Sequence, residues 1–438
     1  MRRALHVAAF DSQLKWCGRL RDELERRGYL TDVVVPDVRS ALSPGQIADA
    51  GFLAVEHVSW TELLDRAAAA DVVVCSLSGP FVRRLLLDLA ERVGEQDGPG
   101  PVVVTGWVGV IIDRITGGFL DRCGSDVVVV NSGPDLDHFR RTARALQLPT
   151  GNLLLAGLPF LGAEPAAPRT TAVRRLLLAD QPTVPATAAE RRHLYLGAVE
   201  YARTHPDREV LLKPRHRPEE DTLHRMRHHP EALLADVDLP PNFRIEYTSI
   251  VELLPTVDLL VTVSSTACLE AIDHGCRVAL LLDLGVHERF GNHVFLDSGL
   301  LRTWADITAD RLGEVDPDWL SGYFFPRERT ATETVVDRVD ELVASGERPS
   351  RSIWRSAYFE SAAAADRVLA PQLEAERRRP APRTALLRRR QQHGPVLGTV
   401  AHVTSGLVPP LLRPPLRTLA RTARTARTAR TARRRVGV

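Results

Sequence analysis

The sequence predicts an α/β protein of two Rossmann-like, parallel-sheet domains with a basic C-terminal tail, and three observations predict it. Short Val- and Leu-rich runs alternate with longer helical patterns from the N-terminus onward, the signature of a parallel sheet covered by helices on both faces. The alternation stops at GAEPAAPRTT (residues 162–171), which is rich in Pro and Ala and aperiodic, and then restarts, as a linker between two domains would require. The segment from Arg377 to Val438 holds sixteen Arg and no Asp, Glu or Lys, so these 62 residues carry +16.

In the first half, LHVAAF (5–10) reads as a buried strand, followed by a helix carrying Leu14, Leu20 and Leu24 and closed by Gly28. TDVVVP is the next strand, and TELLDRAAAA a helix before the strand DVVVCS (71–76). PFVRRLLLDLAERVG is helical, PVVVTG (101–106) and DVVVVNS (126–132) are strands, and a helix through Ala145 leads to NLLLAGLP (152–159). In the second half the strands are RRLLLAD, EVLLKP (209–214), FRIEY, DLLVTVSS (258–265) and RVALLLDL (277–284). Helices are expected around 188–203, in TSIVELLPTV and through His274. The expected organisation is therefore an N-terminal domain over 1–162, a linker over 163–171, a C-terminal domain over 172–350, a closing helix over 351–376 and a low-complexity tail over 377–438. Two such domains in series imply a cleft between them.

With 438 residues, 44% hydrophobic and 26% charged, the chain has the composition of a globular protein. Removing the tail leaves 41 basic against 55 acidic side chains, a body of charge −14. An acidic body argues against nucleic acid as a partner, because neutralising phosphates requires a basic face on the domain itself. The tail repeats RTA so that Arg recurs largely every third residue, a spacing that drifts about 60° per repeat around a helix and forms no stripe. It reads either as a solvated extension or as a polybasic contact with an anionic membrane surface. The five cysteines form neither a CxxC pair nor a zinc-spaced cluster. No run approaches the roughly 20 apolar residues of a membrane span, and the expected compartment is the cytoplasm, peripheral to the inner face of the membrane if the tail engages it.

Ligands of open parallel sheets gather at the carboxyl ends of strands, where helix N-termini present unpaired amides. Of 57 basic side chains only Lys15 and Lys213 are lysine, and both follow strands. EVLLKP runs into Lys213, Arg215, His216 and Arg217, four potential cations that can hold a phosphate or remain a solvated loop. After DLLVTV come Ser264, Ser265 and Thr266, hydroxyls that suit a phosphate cradle or an ordinary helix cap. Glu270 lies a turn further on, as a ribose contact or a partly exposed helix residue. In the first domain Asp11, Ser12 and Lys15 follow LHVAAF. Asp11 could serve as general base toward an acceptor hydroxyl, its pKa raised in a dry cleft, or it or Ser12 could cap the next helix. The glycine-bearing TGWVGVIIDRITGGF is a candidate acceptor loop, and Asn292 or His293 could touch the donor.

KPRHRP followed some fifty residues later by DLLVTVSSTACLEAIDHGCRV resembles the C-terminal half of GT-B-fold glycosyltransferases, particularly the bacterial capsule and teichoic-acid group with its polysialyltransferases and CDP-glycerol glycerophosphotransferases. Those enzymes carry a Lys-x-His-Pro type loop and a Ser-Ser/Thr helix start that grip the nucleotide phosphates, then a Glu-Ala-x-x-x-Gly run. The match covers roughly residues 207–284. The loop departs from the pattern, with Pro214 and Arg215 between Lys213 and His216, and Arg217 before Pro218. The whole chain also resembles a group of actinobacterial glycosyltransferase-like sequences, which implies a class but no substrate.

The expected function is transfer of a sugar from a nucleotide-activated donor to a cell-envelope or capsular glycan acceptor. Asp11, Lys213 and His216 would be catalytic, Arg215, Ser264, Ser265, Thr266, Glu270 and Asn292 would bind the donor, and Ser12 and Lys15 would face the acceptor. No metal and no cofactor beyond the donor is expected, since the Asp-x-Asp pairs at 135/137, 236/238 and 316/318 lie away from the ends of the donor-domain strands. The alternatives are a nucleotide-linked polyol-phosphate transferase, a sugar-nucleotide epimerase on the same fold, and a non-catalytic nucleotide-binding scaffold.

Overall fold

The computed structural model describes residues 1–37, 42–94, 98–220 and 225–361. The expected tail and most of the expected closing helix lie outside these residues.

The first half runs β1 (Arg3–Val7), α1 (Asp11–Arg26), β2 (Leu30–Pro36), α2 (Pro44–Asp49), β3 (Glu56–Val58), α3 (Trp60–Ala68), β4 (Val72–Cys75), α4 (Gly79–Gly94), β5 (Val102–Thr105), α5 (Ile115–Leu120), β6 (Val127–Val130), α6 (Gly133–Ala145) and β7 (Leu153–Leu155). Its strands form a sheet in the order β3-β2-β1-β4-β5-β6-β7, parallel throughout. Because helices cover both faces, β4, β5 and β6 are buried at every residue, which explains their unbroken valine runs.

The second half runs β8 (Arg175–Ala179), α7 (Ala188–Thr204), β9 (Glu209–Lys213), α8 (Pro230–Leu233), β10 (Phe243–Ile245), α9 (Ile250–Leu253), β11 (Leu259–Thr262), α10 (Ala267–Asp273), β12 (Arg277–Leu281), β13 (Leu301–Arg302), α11 (Trp304–Thr308) and α12 (Pro317–Ser321). The second sheet, also parallel, has the order β10-β9-β8-β11-β12-β13. In both sheets the strand order reverses beside the first strand, β1 or β8, which opens a crevice at the carboxyl edge.

Two helices then return to the first sheet: α13 (Ala331–Ser345) and α14 (Pro349–Trp354). Ala331, Val335, Val336, Val339 and Leu342 of α13 pack with Leu14, Leu20 and Leu24 of α1 over Val74, Val104 and Val129. Ion pairs from Arg27 to Asp337 (2.6 Å) and Asp340 (3.0 Å) fix this helix at its partly exposed side. Ser350 N–H donates to Asp126 (3.0 Å), and Ile353 joins the core on the opposite face. The boundary expected at residue 350 is therefore corrected: the apolar stripe of α13 completes the first domain, although its sequence follows the second. A capping box of Thr330 and Glu333 starts α13, and Gly346 in the left-handed region ends it. The helices expected from the sequence include none here; the caps set its limits, while only packing decided which sheet it covers.

Candidate functional site

The carboxyl edges of the two sheets face each other, and among the described residues an ion pair joins them. Asp11 is the first residue of α1 and is 7% exposed; Arg215 lies two residues beyond the end of β9. The guanidinium donates from Nε and Nη2 to a single Asp11 oxygen, Oδ2, at 3.1 and 2.5 Å. Phe10 holds the N-cap position without a side-chain cap bond, so neither Asp11 nor Ser12 is the cap. Burial pushes the Asp11 carboxyl upward. The charge and hydrogen bond of Arg215, the Ser12 amide and the charge of Lys15 outweigh it and hold the group below its ordinary range. The expected rise toward neutrality is therefore corrected, because the cleft supplies a cation as well as dryness.

Around this pair the chain gathers its two lysines. Lys213 ends β9, opposite Ala179 of β8, and its ammonium has no hydrogen-bond partner among the described residues. Burial pulls its pKa down to about 8, reinforced by the charges of Lys15 and Arg215 and opposed by Asp49 and Glu246. Lys15, one turn beyond Asp11, is exposed. Glu270 of α10 is half-buried; burial raises its carboxyl while Lys15, Arg215 and Arg19 counter the rise. Cations from α1 and from the β9 loop thus share one neighbourhood, as an anionic ligand requires.

The hydroxyl cradle expected after β11 is largely spent on the protein. Ser264 is fully buried; its amide donates to Gln181 Oε1 (2.9 Å) and its hydroxyl to the Phe290 carbonyl (2.5 Å). Thr266 Oγ1 accepts from Val110 N–H (3.0 Å) in the first-domain loop after β5. Gly109 is needed there, since a Cβ would run into the Thr266 side chain. That loop, offered above as an acceptor loop, is at this point an interdomain contact. Ser265, half-buried like Thr266, accepts from Ala267 N–H at 3.3 Å and is the half-buried hydroxyl whose bond stays within its own turn.

Two further expectations are corrected. His216 is 3% exposed; its Nδ1 lies 2.7 Å from the Arg217 carbonyl, and its Nε2 accepts from Met226 N–H at 2.9 Å. Both nitrogens being occupied, the imidazole braces its own loop and cannot face a phosphate. His229, whose Nε2 lies 3.1 Å from the His216 carbonyl, extends that brace. Asn292 is 1% exposed, accepting from His287 N–H (3.1 Å) and donating to Gly285 O (2.9 Å), so it closes the 285–292 loop instead of reaching a donor.

Beneath the site lies a network that sequence reading missed. Asp180, immediately after β8, pairs with Arg191 (2.9 Å) and accepts from Tyr195 OH (2.5 Å), their side chains being almost wholly buried. Burial raises the Asp180 carboxyl to about 6, with Arg191 opposing. The next residue, Gln181, holds Ser264, so the network fixes the edge of the sheet from below. An Asp ending RRLLLAD was the available signal; its partners, 11 and 15 residues on, were not legible. Among the described residues no cluster of His, Cys, Asp or Glu is placed to hold a metal ion, and no helix is long and apolar enough to cross a membrane.

Two parallel-sheet domains, edge to edge, with the last helices crossing back to the first, define the GT-B fold. The chain belongs to the family described as "Putative glycosyltransferase (DUF6716)", whose model matches residues 4–342. The chain is also similar in structure to MnaA of S. aureus, solved with UDP (TM-score 0.53, 11% identity, covering 78% of this chain and 97% of that one). UGT89C1 of Arabidopsis thaliana, complexed with UDP-L-rhamnose, matches with TM-score 0.51 and 12% identity over 78% of this chain and 98% of that one. A Listeria monocytogenes protein described as "putative UDP-N-acetylglucosamine 2-epimerase" matches with TM-score 0.50 and 11% identity over 80% and 98%. Comparison with curated protein sequences finds no match. At these identities the structural likeness speaks for the fold alone.

Proposed function

We propose that the protein transfers a sugar from a nucleotide-activated donor to a hydroxyl of a cell-envelope or capsular glycan. The donor phosphates would lie against Lys213 and Arg215, and the acceptor on the side of Ser12 and Lys15. The observation that carries this reading is the convergence of Asp11 and Lys15 from one sheet edge with Lys213 and Arg215 from the other. A carboxylate beside a cationic anion site is what glycosyl transfer demands: a base for the attacking hydroxyl and positive charge for the departing phosphate. UDP or a UDP-sugar in the structures of MnaA and UGT89C1 supports a nucleotide-sugar ligand, as does the family description. Glu270 and Ser265 remain the proposed ribose and phosphate contacts.

The test is incubation of the purified protein with radiolabelled UDP-, GDP-, CDP- and CMP-sugars and envelope-glycan fragments. Label moving into the glycan supports the proposal. The likeness to the Listeria protein makes epimerisation the second reading, and a UDP-sugar converted to its epimer without an acceptor would establish it instead. Binding without turnover of any donor would leave a scaffold. The sixteen arginines beyond residue 376 suit a cytoplasmic protein that meets an anionic membrane at its inner face. Salt-sensitive sedimentation with phosphatidylglycerol vesicles, lost on removing residues 377–438, tests that attachment.

A further inference from the structure

We propose that Arg215 is shared between Asp11 and the donor phosphate, so that donor binding itself releases the catalytic carboxylate. This rests on the glycosyl-transfer reading above and adds an order of events to it.

The geometry sets up a competition. Arg215 reaches across the cleft to bind Asp11 with two donors, and its side chain is still 36% exposed, against 10% for Asp11. The arginine is therefore the accessible member of the pair. The ammonium of its neighbour Lys213 lacks a hydrogen-bond partner among the described residues, so a phosphate drawn to Lys213 arrives beside Arg215. A guanidinium fork binds a phosphate with the same paired donors that it offers a carboxylate, and the phosphate carries more charge. While Arg215 remains on Asp11, that carboxylate is a poor proton acceptor, since a neighbouring cation stabilises its ionised form.

Once the fork turns to the donor, Asp11 is left with Lys15 and the Ser12 amide and becomes more basic. In the transfer step the acceptor hydroxyl gives its proton to Asp11 as its oxygen bonds to the anomeric carbon. The bond from that carbon to the phosphate oxygen breaks, and its electron pair leaves on the nucleotide phosphate held by Lys213 and Arg215. Before the donor is bound, an acceptor meets a carboxylate whose basicity Arg215 holds down through Oδ2, so donor binds first.

A double-mutant cycle tests the exchange, with inorganic pyrophosphate, UDP, GDP, CDP and CMP as probes in calorimetric titrations. Asp11→Asn should tighten binding about fivefold in wild-type background, because Arg215 no longer has to leave a charged partner. Removing a negative charge near any anion site also tightens binding, so the deciding comparison is in the Arg215→Ala background. There the same Asp11→Asn change should lose most of its effect. Melting temperatures check that each variant is folded, and Arg215→Lys, which keeps the charge without the fork, should show an intermediate coupling. An equal gain from Asp11→Asn with and without Arg215 overturns the exchange while leaving the nucleotide reading intact. So does a UDP-bound structure in which Arg215 stays on Asp11. Failure of every probe to bind the wild-type protein overturns both.

Discussion

The loops after β9 and β11 leave the same sheet on either side of β8, each at a carboxyl edge, and they differ in what their side chains are free to do. After β11, Ser264 and Thr266 are bonded to Gln181, Phe290 and Val110. At the end of β9, the Lys213 ammonium has no hydrogen bond among the described residues, and among them the Arg215 guanidinium bonds a carboxylate from across the cleft. Reach explains the contrast. A hydroxyl one atom beyond Cβ must take its partner from the backbone nearby, and once buried it cannot go unpaired. A lysine or arginine carries its charge several bonds away, beyond the reach of the backbone at its own strand end. Equivalent strand ends therefore supply, in one case, a contact between the domains and, in the other, the charge that the proposed ligand would meet.

The largest effect should come from removing that charge. Lys213→Ala is expected to weaken pyrophosphate binding about 50-fold, the loss of one charge-assisted contact, while the melting temperature moves by no more than about 2 °C. Titration calorimetry beside thermal unfolding reads both. A large drop in melting temperature with unchanged affinity would make Lys213 a structural residue and erase the contrast.

Ser264→Ala should do the reverse. It strips a buried hydroxyl from the Phe290 carbonyl and from Gln181, at a cost of about 1–2 kcal/mol in urea unfolding, while pyrophosphate affinity stays within about twofold of wild type.

The third expectation concerns pH. With its pKa near 8, Lys213 gives up its proton in the free protein as pH rises from 7 to 9, and an anion bound through the ammonium loses affinity over the same range. The fall attributable to this residue, taken as the difference between wild type and Lys213→Met, should reach about tenfold. The sign for stability is opposite. An ammonium whose pKa is lower in the folded state than unfolded burdens the fold below about pH 8, and that burden is relieved between about 8 and the ordinary lysine value of 10.5. Identical pH profiles for wild type and Lys213→Met would show that the ammonium takes no part.

The smallest effect belongs to Ser265→Ala. This hydroxyl is half-buried and bonded at 3.3 Å to the Ala267 amide, so its loss should weaken anion binding by about threefold and leave stability unchanged. A loss matching that of Lys213→Ala would move the centre of the site from the β9 loop to the start of α10.

The strands of both sheets that lie in the interior were legible from their Val and Leu runs, because a parallel strand buried on two faces must be apolar at every position. Two edge strands were not: β3 reads EHV and β13 is two residues long, too polar or too short to stand out. Within the site, Lys213 and Arg215 could be singled out as strand-end cations, and Asp11 as the strand-end carboxylate of the other half.

What the sequence by itself determined is thus the periodicity, the caps, the positions of the strand ends and the scarcity of lysine, all of which are local properties. Only the tertiary structure decided how those strand-end residues were used. It paired Asp11 with Arg215 across 204 positions, turned both nitrogens of His216 back into its own loop, bonded Thr266 to the other domain, and laid α13 on the sheet that precedes it by half the chain. The reason is physical: a side chain's type fixes which bonds it can make, whereas its partner, burial and charge are set by groups that folding brings beside it.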